Sequence, residues 1–337
     1  MRSGNWSIEE KVAFLRRPAS YPQGARQVET IQTHMSWVFL TDKHAWKLKK
    51  PVRNEYLDFS TPEARRLDCS REVRFSRRLA RDVYLGIVPL TFNKNGNLQL
   101  GGRGRRVDSL VLMRRLPANR MLDHLIRSRA VSENDIAKLA SYLATFYKNL
   151  APASITCPHY RKRLATDLER AGKELAAEAY GLPAGLVQPL IQSQLEFLQK
   201  NGGLFDDRVR AGKIIEGHGD LRPEHICLEE SPVVIDCLEF NRSLRILDAA
   251  SELTFLALEC ERLGAPVAGE IIFRRYEEET GDRPPRRLLA FYKVYHACIR
   301  AKIALWHLQD ERIRDRAGWI SKAAQYLTIV SGIDRAA

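Results

Sequence analysis

The sequence lacks the features that define several classes of protein. No apolar run approaches the roughly 18 residues that a transmembrane helix requires. The six cysteines are scattered and form no CxxC pair, so neither a disulfide framework nor a zinc site is expected. The opening segment, MRSGNWSIEEKVAFLRR, has acidic residues where a signal peptide has its apolar core. We therefore expect a cytoplasmic protein with reduced thiols and no membrane span.

The overall composition is that of an ordinary globular protein. Of the 337 residues, 45% are hydrophobic and 28% are charged, which permits a substantial core in one large or two smaller domains. The formal net charge of +13 is concentrated near the N-terminus, where residues 1–110 contain 21 Lys and Arg against 11 Asp and Glu. This region indicates either an anionic partner, such as a nucleotide, a phosphorylated metabolite, nucleic acid or a membrane surface, or a solvated basic face.

Strand-like segments dominate the first third of the sequence. They are VETIQTHMSWVFL (28–40), HAWKLKK (44–50), YLGIVPLTF (84–92), NLQL (97–100) and SLVLMRRL (109–116). The Asn-Gly turn at 95–96 predicts a β-hairpin between two of them. One helix interrupts the strands, because residues 60–63 (STPE) have the pattern of a capping box with an early proline, and this helix is predicted to reach about Ala80.

After residue 117 the sequence becomes mainly helical. The segment SENDIAKLASYLATFYKNL (132–150) starts with a Ser-x-x-Asp cap and repeats apolar residues at helical spacing. Two short strand-like segments, KIIEGH (213–218) and PVVIDCLEF (232–240), predict a small hairpin among the helices. We therefore expect an N-terminal lobe (1–116) with an antiparallel sheet and one helix, a larger helical lobe (117–337), and a ligand-binding cleft between them.

Two lysines follow the tight turn at 41–43. Strand alternation places Lys47 and Lys49 on one face of HAWKLKK, and Trp46 and Leu48 on the other. A lysine on a covered face needs a carboxylate partner, because burying an unpaired charge is costly. The alternative is a basic edge strand that faces water.

The predicted helix contains a candidate partner for these lysines. At about 100° per residue, Glu72 lies on the same face as Phe75 and Leu79. Lys47 is its natural partner, although Arg74 or Arg78 could pair with it instead. A Lys–Glu pair between a strand and the following helix can hold a lysine at nucleotide phosphates.

The strongest signal is GHGDLRPEHICL (217–228), followed by VVID (233–236). His218 and Asp220 closely follow one apolar run, and Asp236 ends another. If the two runs pair, their aspartates converge on one site, where one orients a hydroxyl and the other binds a metal. A buried structural His–Asp pair is the alternative interpretation.

These segments resemble the aminoglycoside-phosphotransferase-like branch of the protein-kinase-like fold, whose pattern is HGDLHxxN followed by an [IV]ID segment. The match is to an uncharacterised bacterial subgroup, through ETIQTHMSWVFL, WKLKKPV, LDFSTPEARR and EVRFSRRLARDVYLGIVPL, and covers roughly residues 28–262. The resemblance implies an α+β, bilobal fold with an antiparallel-sheet N-lobe and a mostly helical C-lobe. Some members have an additional P-loop kinase-like domain, which we do not expect here because no GxxxxGK[ST] motif occurs.

The resemblance also implies an activity, the transfer of the γ-phosphate of ATP to a hydroxyl of a small molecule. By position, Asp220 would accept or orient the proton of that hydroxyl, within the motif that contains His218. Asp236 would bind Mg²⁺. Lys47, or Lys49 as second choice, would hold the phosphates.

Other nucleotide contacts are implied by the same resemblance. Glu72 would pair with the phosphate-binding lysine, and the backbone of Met113, Arg114 and Arg115 would form the interlobe hinge that meets adenine. No GxGxxG loop is present, so residues 41–44 or 32–36 would cover the phosphates. Asp248 resembles a family aspartate with a structural role.

Two positions depart from the family pattern. His225 stands where the family has a metal-binding asparagine, and imidazole suits Mg²⁺ less well than an amide oxygen. Three accounts follow: one metal held by Asp236 with Glu224 or Glu239 nearby, a site that prefers Mn²⁺, or a pseudokinase that does not transfer phosphate. Arg222 replaces a family histidine and could supply part of the charge of a second metal.

The charge of the helical lobe bears on the acceptor and on other partners. Aminoglycosides are polycations that need acidic pockets, whereas HYRKR (159–163) and FRRYEEETGDRPPRR (273–287) are basic or mixed. We therefore expect an uncharged or anionic small alcohol, amine or sugar. The basic run at 103–106 has no interleaved aromatic residues, so a nucleic-acid partner is not expected. No feature of the sequence predicts an oligomeric state.

Overall fold

The computed structural model describes residues 6–53, 57–93, 95–177, 180–182, 184–309 and 315–333. Its chain divides into two compact units. The first, which we call the sheet unit, contains Met1–Met121 and Val233–Leu244. The second, which we call the helical unit, contains Leu122–Pro232 and Arg245–Ala337.

The secondary-structure elements of the described residues are numbered in chain order. The strands are β1 (Glu29–Gln32), β2 (Ser36–Leu40), β3 (His44–Lys49), β4 (Tyr84–Phe92), β5 (Leu98–Leu100), β6 (Arg105–Arg114), β7 (Ile214–Glu216), β8 (Ile226–Cys227), β9 (Val233–Val234) and β10 (Ile246–Asp248). The helices are α1 (Ile8–Leu15), α2 (Pro62–Ser76), α3 (Leu122–Arg127), α4 (Glu133–Lys148), α5 (Cys157–Leu175), α6 (Ala184–Lys200), α7 (Gly202–Arg210), α8 (Ala249–Arg262), α9 (Ala268–Thr280), α10 (Arg286–Trp306) and α11 (Arg316–Val330).

An antiparallel sheet organises the sheet unit. Over the described residues it has six strands in the order β1-β2-β3-β6-β4-β5. The predicted hairpin around the Asn-Gly turn is confirmed, since β4 and β5 pair from Leu90 and Leu100 to Phe92 and Leu98. In β3, Lys47 lies opposite Val38 of β2 and Val111 of β6. The lysines therefore lie on a central strand, and the edge-strand alternative is wrong.

Both faces of this sheet are covered. Trp46 and Leu48 of β3 belong to one hydrophobic cluster together with Val12 and Leu15 of α1. On the lysine side, α2 packs against β4 and β6. The sheet unit thus contains α1 in addition to the one predicted helix; its signal was a capping box at Ser7, which sequence analysis overlooked.

The start of α2 is capped differently from the prediction. Pro62 is in the first turn as expected, but the N-cap is Thr61, whose side chain accepts a hydrogen bond from the helix backbone. Ser60 instead donates to Asp58, and Glu63 pairs with Arg66. The predicted box is therefore wrong by one residue. The helix also ends earlier than predicted, because the turn into β4 follows Ser76 directly.

The helical unit contains an extensive apolar core and one small sheet. Its core includes Tyr160, Phe205 and Tyr292 from three different helices, and α4 begins with the predicted capping box at Ser132. β7 pairs antiparallel with β10, with Glu216 opposite Ile246. The predicted hairpin of 213–218 with 232–240 is therefore wrong, because apolar patterns identify strands and do not identify their partners.

Two predicted absences can be compared with the described residues. All six cysteines are free thiols in this structure, and five of them are buried. Within the described part of the chain, no helix combines the length and apolar character that spanning a bilayer would need.

Candidate active site

Lys47 lies between two carboxylates of the sheet unit. Its Nζ is 2.9 Å from Glu72 Oε1 and 2.5 Å from Asp236 Oδ1. The Glu72 side chain is fully buried, whereas 13% of Lys47 and 39% of Asp236 are exposed. Burial alone would lower the pKa of Lys47, but Asp236 and Glu72 raise it well above its usual value. Lys47 is therefore a charged ammonium at neutral pH, and the predicted Lys47–Glu72 pair is present.

The two arginines that could have competed for Glu72 lie elsewhere. The guanidinium carbons of Arg74 and Arg78 lie 4.5 and 5.4 Å from the ring centroid of Phe75. Arg78 also donates from Nε to the Phe75 backbone oxygen. Stacking on an aromatic ring suits a delocalised guanidinium better than a compact ammonium.

Lys49 has a different set of partners. Its Nζ lies 2.7 Å from Asp68 Oδ2 and 2.7 Å from Glu72 Oε2, and it also bonds to Glu239. Burial would lower the pKa of Lys49, but Glu239, Glu72 and Asp68 raise it well above its usual value. Only 2% of its side chain is exposed. Of the two lysines, Lys47 thus has the more exposed side chain.

Glu239, a predicted neighbour of the metal, is buried against Lys49. Burial raises the pKa of Glu239 to about 8 despite the attraction of Lys49. A carboxyl group with this pKa is largely protonated at neutral pH and is a weak ligand for a hard cation.

The backbone of Asp236 is in an unusual conformation. Its φ of +61° is in the left-handed region, which non-glycine residues seldom adopt. The Asp236 N–H donates to the hydroxyl of Tyr84 at 2.9 Å, which helps to hold this conformation. Such strained residues are concentrated at functional sites. Sequence analysis missed Tyr84, because a tyrosine in a strand with the composition YLGIVPLTF carries no distinguishing signal.

The register of β3 distinguishes the two candidate phosphate-covering turns. Ser36 of β2 lies opposite Lys49, so the turn between β1 and β2 adjoins the lysine end of β3. At the other end, His44 lies opposite Arg114, so the turn between β2 and β3 adjoins the predicted hinge. Of the two predicted segments, residues 32–36 are therefore the one next to the lysine end of β3.

The predicted hinge residues lie at the end of β6. Met113 is buried and pairs within the sheet. The N–H of Arg114 donates to Val83 O at 2.8 Å, and that of Arg115 donates to Lys43 O at 2.9 Å. Because both amides already have backbone acceptors, we do not assign them a contact with adenine.

In the helical unit, Glu252 of α8 holds the HGD segment in place. Its buried carboxylate accepts hydrogen bonds from the N–H groups of His218 at 2.9 Å and Gly219 at 2.6 Å, and from Tyr147 Oη at 2.8 Å. A Cβ at Gly217 would lie 2.6 Å from Glu252 Oε2, so a side chain there would displace this hydrogen-bonded carboxylate. Sequence analysis missed Glu252, although a carboxylate aligned with apolar residues of a helix was the same signal that identified Glu72.

Asp220 is surrounded by cationic and imidazole groups. Arg222 Nε lies 3.1 Å from Asp220 Oδ2, and Arg300 Nη1 lies 3.7 Å from Asp220 Oδ1. Burial would raise the pKa of Asp220, but Arg222 and Arg300 lower it. Asp220 is therefore an ionised carboxylate at neutral pH. His218 also contacts Asp220, because its Nδ1 accepts a hydrogen bond from the Asp220 backbone N–H at 3.2 Å.

Both ring nitrogens of His225 lie within hydrogen-bond distance of fixed groups. Nδ1 is 2.9 Å from the backbone oxygen of Asp220, and Nε2 is 3.0 Å from Arg222 Nη2. Because a carbonyl only accepts and a guanidinium only donates, these contacts select the neutral tautomer with the proton on Nδ1. A metal would need the Nε2 lone pair that now faces Arg222. His225 thus joins the Asp220 loop to Arg222.

Comparisons with known proteins bear on the fold. No family model matches the chain. An uncharacterised protein of Mycobacterium tuberculosis is 29% identical over 286 residues, which are 82% of this chain and 54% of that protein. The chain thus spans about half the length of the curated relatives it matches.

Solved structures give a closer view of the architecture. A mutant of aminoglycoside 2'-phosphotransferase-IIIa in its GDP complex has a TM-score of 0.59 at 14% identity, covering 98% of each chain. A choline/ethanolamine kinase family protein from Mesorhizobium loti has a TM-score of 0.55 at 14% identity, covering 96% of this chain and 95% of that one. This chain has the protein-kinase-like fold of the aminoglycoside phosphotransferases. The predicted fold class is therefore confirmed, whereas the roles of individual residues stay predictions.

Proposed function

We propose that this chain is an ATP-dependent phosphotransferase whose acceptor is the hydroxyl of a small molecule. The observation that carries the proposal is the ion cluster on β3, in which Lys47 lies between a buried Glu72 and a partly exposed Asp236. Phosphoryl transfer needs a positioned cation for the phosphates and a carboxylate for metal, and this cluster provides both. The fold that the chain shares with phosphotransferases supports the same assignment.

In the proposed reaction the chain positions groups and moves one proton. Lys47 binds phosphate oxygens of the nucleotide, and Glu72 keeps the Lys47 ammonium in place. Asp220 accepts the proton of the acceptor hydroxyl while the oxygen of that hydroxyl forms a bond to the γ-phosphorus. The bond between the γ-phosphorus and the β–γ bridging oxygen breaks, so ADP leaves and the phosphate ester remains.

The metal of such a reaction fits Asp236. Mg²⁺ is usually bound by one or two carboxylates together with substrate phosphates, and the Asp236 carboxylate is partly exposed. When bound, Mg²⁺ would neutralise charge on the phosphates. Among the described residues, no group of three or more His, Cys, Asp or Glu side chains could hold a metal ion. We therefore propose one metal on Asp236, with Mn²⁺ as a possible substitute, and assign no metal to His225 or Glu239.

A second candidate function is a nucleotide-binding protein without transfer. The observation that favours it is His225, which stands at the family's metal-binding position and whose two ring nitrogens face the Asp220 carbonyl and Arg222. Without an oxygen ligand there, the site would bind nucleotide and leave the phosphate untransferred.

One series of measurements separates these functions. Thermal unfolding is followed with ATP, GTP and ADP, each with Mg²⁺, Mn²⁺ or no metal, because a ligand of the folded state raises the midpoint. GTP is included because one similar structure contains GDP. Lys47→Met should abolish the shift, whereas Lys43→Met, an exposed lysine in the turn before β3, should keep it. Release or transfer of the γ-phosphate then distinguishes the kinase from the silent binder, and absence of any nucleotide shift would contradict both.

A further inference from the structure

The surroundings of Asp220 are rich in arginine. Arg222 comes from the loop after the HGD segment and Arg300 comes from α10, so two guanidinium groups approach one carboxylate from different elements. Asp220 remains 25% exposed between them. If this carboxylate orients the acceptor hydroxyl, the rest of the acceptor must lie close to these two positive charges.

Other carboxylates of the same region are also bound by arginine. Glu259, which is buried, lies 2.9 Å from Arg262 and 3.3 Å from Arg300, and it accepts from Tyr326 Oη at 2.6 Å. Glu224 lies 3.7 Å from Arg262. To pair with one of these carboxylates, a cationic acceptor would have to displace its guanidinium. The favourable interaction between that carboxylate and that guanidinium would then be lost.

A further cation lies within range of the same arginines. Burial lowers the pKa of Lys322 on α11, and repulsion from Arg262 and Arg300 lowers it further. We define the Asp220 charge group as Asp220, Glu224, Glu259, Arg222, Arg262, Arg300 and Lys322. It contains four cationic side chains and three carboxylates. When Asp220 accepts the proton of the acceptor hydroxyl, this group would lose one negative charge.

We infer that the acceptor carries a carboxylate or phosphate close to the hydroxyl that is phosphorylated, and that Arg222 and Arg300 bind this oxyanion. The inference rests on the proposed function, since it takes Asp220 as the group that orients the hydroxyl. Guanidinium groups present planar pairs of donors that match carboxylate and phosphate oxygens. The acceptor is thus an anionic alcohol, a class opposite in charge to the aminoglycosides.

The test compares small alcohols of matched size and different charge. Glycerate and glycerol 3-phosphate supply the two oxyanions, glycerol is the neutral counterpart, and ethanolamine is cationic. Binding to the full chain without nucleotide is measured by calorimetry, and phosphorylation is measured with ATP and Mg²⁺. We expect at least one oxyanion compound to bind and react at least about tenfold better than glycerol and ethanolamine, and the comparison of the two oxyanions identifies the preferred one.

Variants locate the effect at the two arginines. Arg300→Gln and Arg222→Gln should each weaken binding of the preferred oxyanion by about tenfold or more, with little effect on glycerol, and Arg300→Lys should recover part of the loss. Arg286→Gln, an exposed arginine on the same helix, is the matched control. Because Arg222 is more exposed than Arg300, its variant remains informative if Arg300→Gln does not fold.

The outcomes separate this inference from the proposed function. If the chain transferred phosphate from ATP to ethanolamine or glycerol in preference to the oxyanion compounds, the phosphotransferase proposal would hold and the inference of an anionic acceptor would be wrong. Oxyanion binding that depends on Arg300, without any nucleotide binding, would support the anion site and contradict the phosphotransferase. Failure of all four compounds to bind, or equal effects of Arg300→Gln and Arg286→Gln, would overturn the inference.

Discussion

Glu72 Oε2 lies 2.7 Å from Lys49 Nζ, while the other oxygen of the same carboxylate lies 2.9 Å from Lys47 Nζ. One carboxylate of α2 therefore binds two lysines that are adjacent on one face of β3. Lys49 orients Glu72, and Glu72 in turn orients the more exposed Lys47. This relationship makes Lys49 a positioning residue for the proposed nucleotide site.

Replacing Lys49 should destabilise the protein strongly. In Lys49→Met, Asp68, Glu72 and Glu239 would lose the buried cation that they share, and removing one partner of a buried ionic group costs about 3–5 kcal/mol. The free energy of unfolding is measured in urea. Lys43→Met, at an exposed turn position, should change it by less than about 0.5 kcal/mol. Equal effects of the two substitutions would contradict the role assigned to Lys49.

The protonation of Glu239 predicts how stability varies with pH. Burial raises the pKa of Glu239 from 4.5 to about 8, so between these values the folded state binds a proton that the unfolded state releases. The contribution of Glu239 is therefore fully present below pH 4.5 and is lost as the pH rises toward 8. Relative to wild type, Glu239→Gln should lose this dependence in urea unfolding curves measured across the interval. If the difference in unfolding free energy between wild type and Glu239→Gln grew toward low pH instead of high pH, this prediction would be wrong.

A side chain at Gly217 should destabilise the protein. A Cβ at this position would lie 2.6 Å from Glu252 Oε2, and Glu252 holds the backbone of the HGD segment. We expect Gly217→Ala to cost about 1–3 kcal/mol of unfolding free energy, as overpacking does. The matched control is Gly203→Ala in α7, where no atom lies within 4 Å of the added Cβ and alanine favours the helix. If Gly217→Ala had the same unfolding free energy as wild type, Glu252 would be able to move without loss of stability, and this prediction would be wrong.

Asp220→Asn should separate nucleotide binding from transfer. The amide cannot accept the hydroxyl proton, so kcat should fall by about 10²–10⁴-fold, while the affinity for ATP, which we assign to the sheet unit, should change little. Rates with an accepted alcohol and thermal shifts with ATP provide the two readouts. Asp207→Asn, an exposed aspartate of α7, is the control and should retain both. Full transfer by Asp220→Asn would exclude Asp220 as the base.

Local patterns were sufficient for the motifs and for much of the secondary structure. Strand alternation placed Lys47 and Lys49 on one face, and helical periodicity placed Glu72 on the covered side of α2. The same patterns did not distinguish which lysine is accessible, because exposure depends on Asp68 and Glu239, which approach from other segments. Strand pairing was mispredicted for β7, whose partner β10 lies 30 residues further along the chain.

The sequence by itself determined the lysine-bearing strand and the HGD motif, since each depends on side-chain order along a short segment. The kinase-like fold was expected from the resemblance of those segments to a known family. Tertiary structure alone decided that Arg300 approaches Asp220 and that Arg222 engages His225. It also decided that a tyrosine hydroxyl supports the left-handed Asp236. The physical reason is the distance over which each kind of information acts. Periodicity arises from backbone geometry within one element, whereas these contacts join residues of separate elements or depend on the orientation that a side chain adopts in the folded structure.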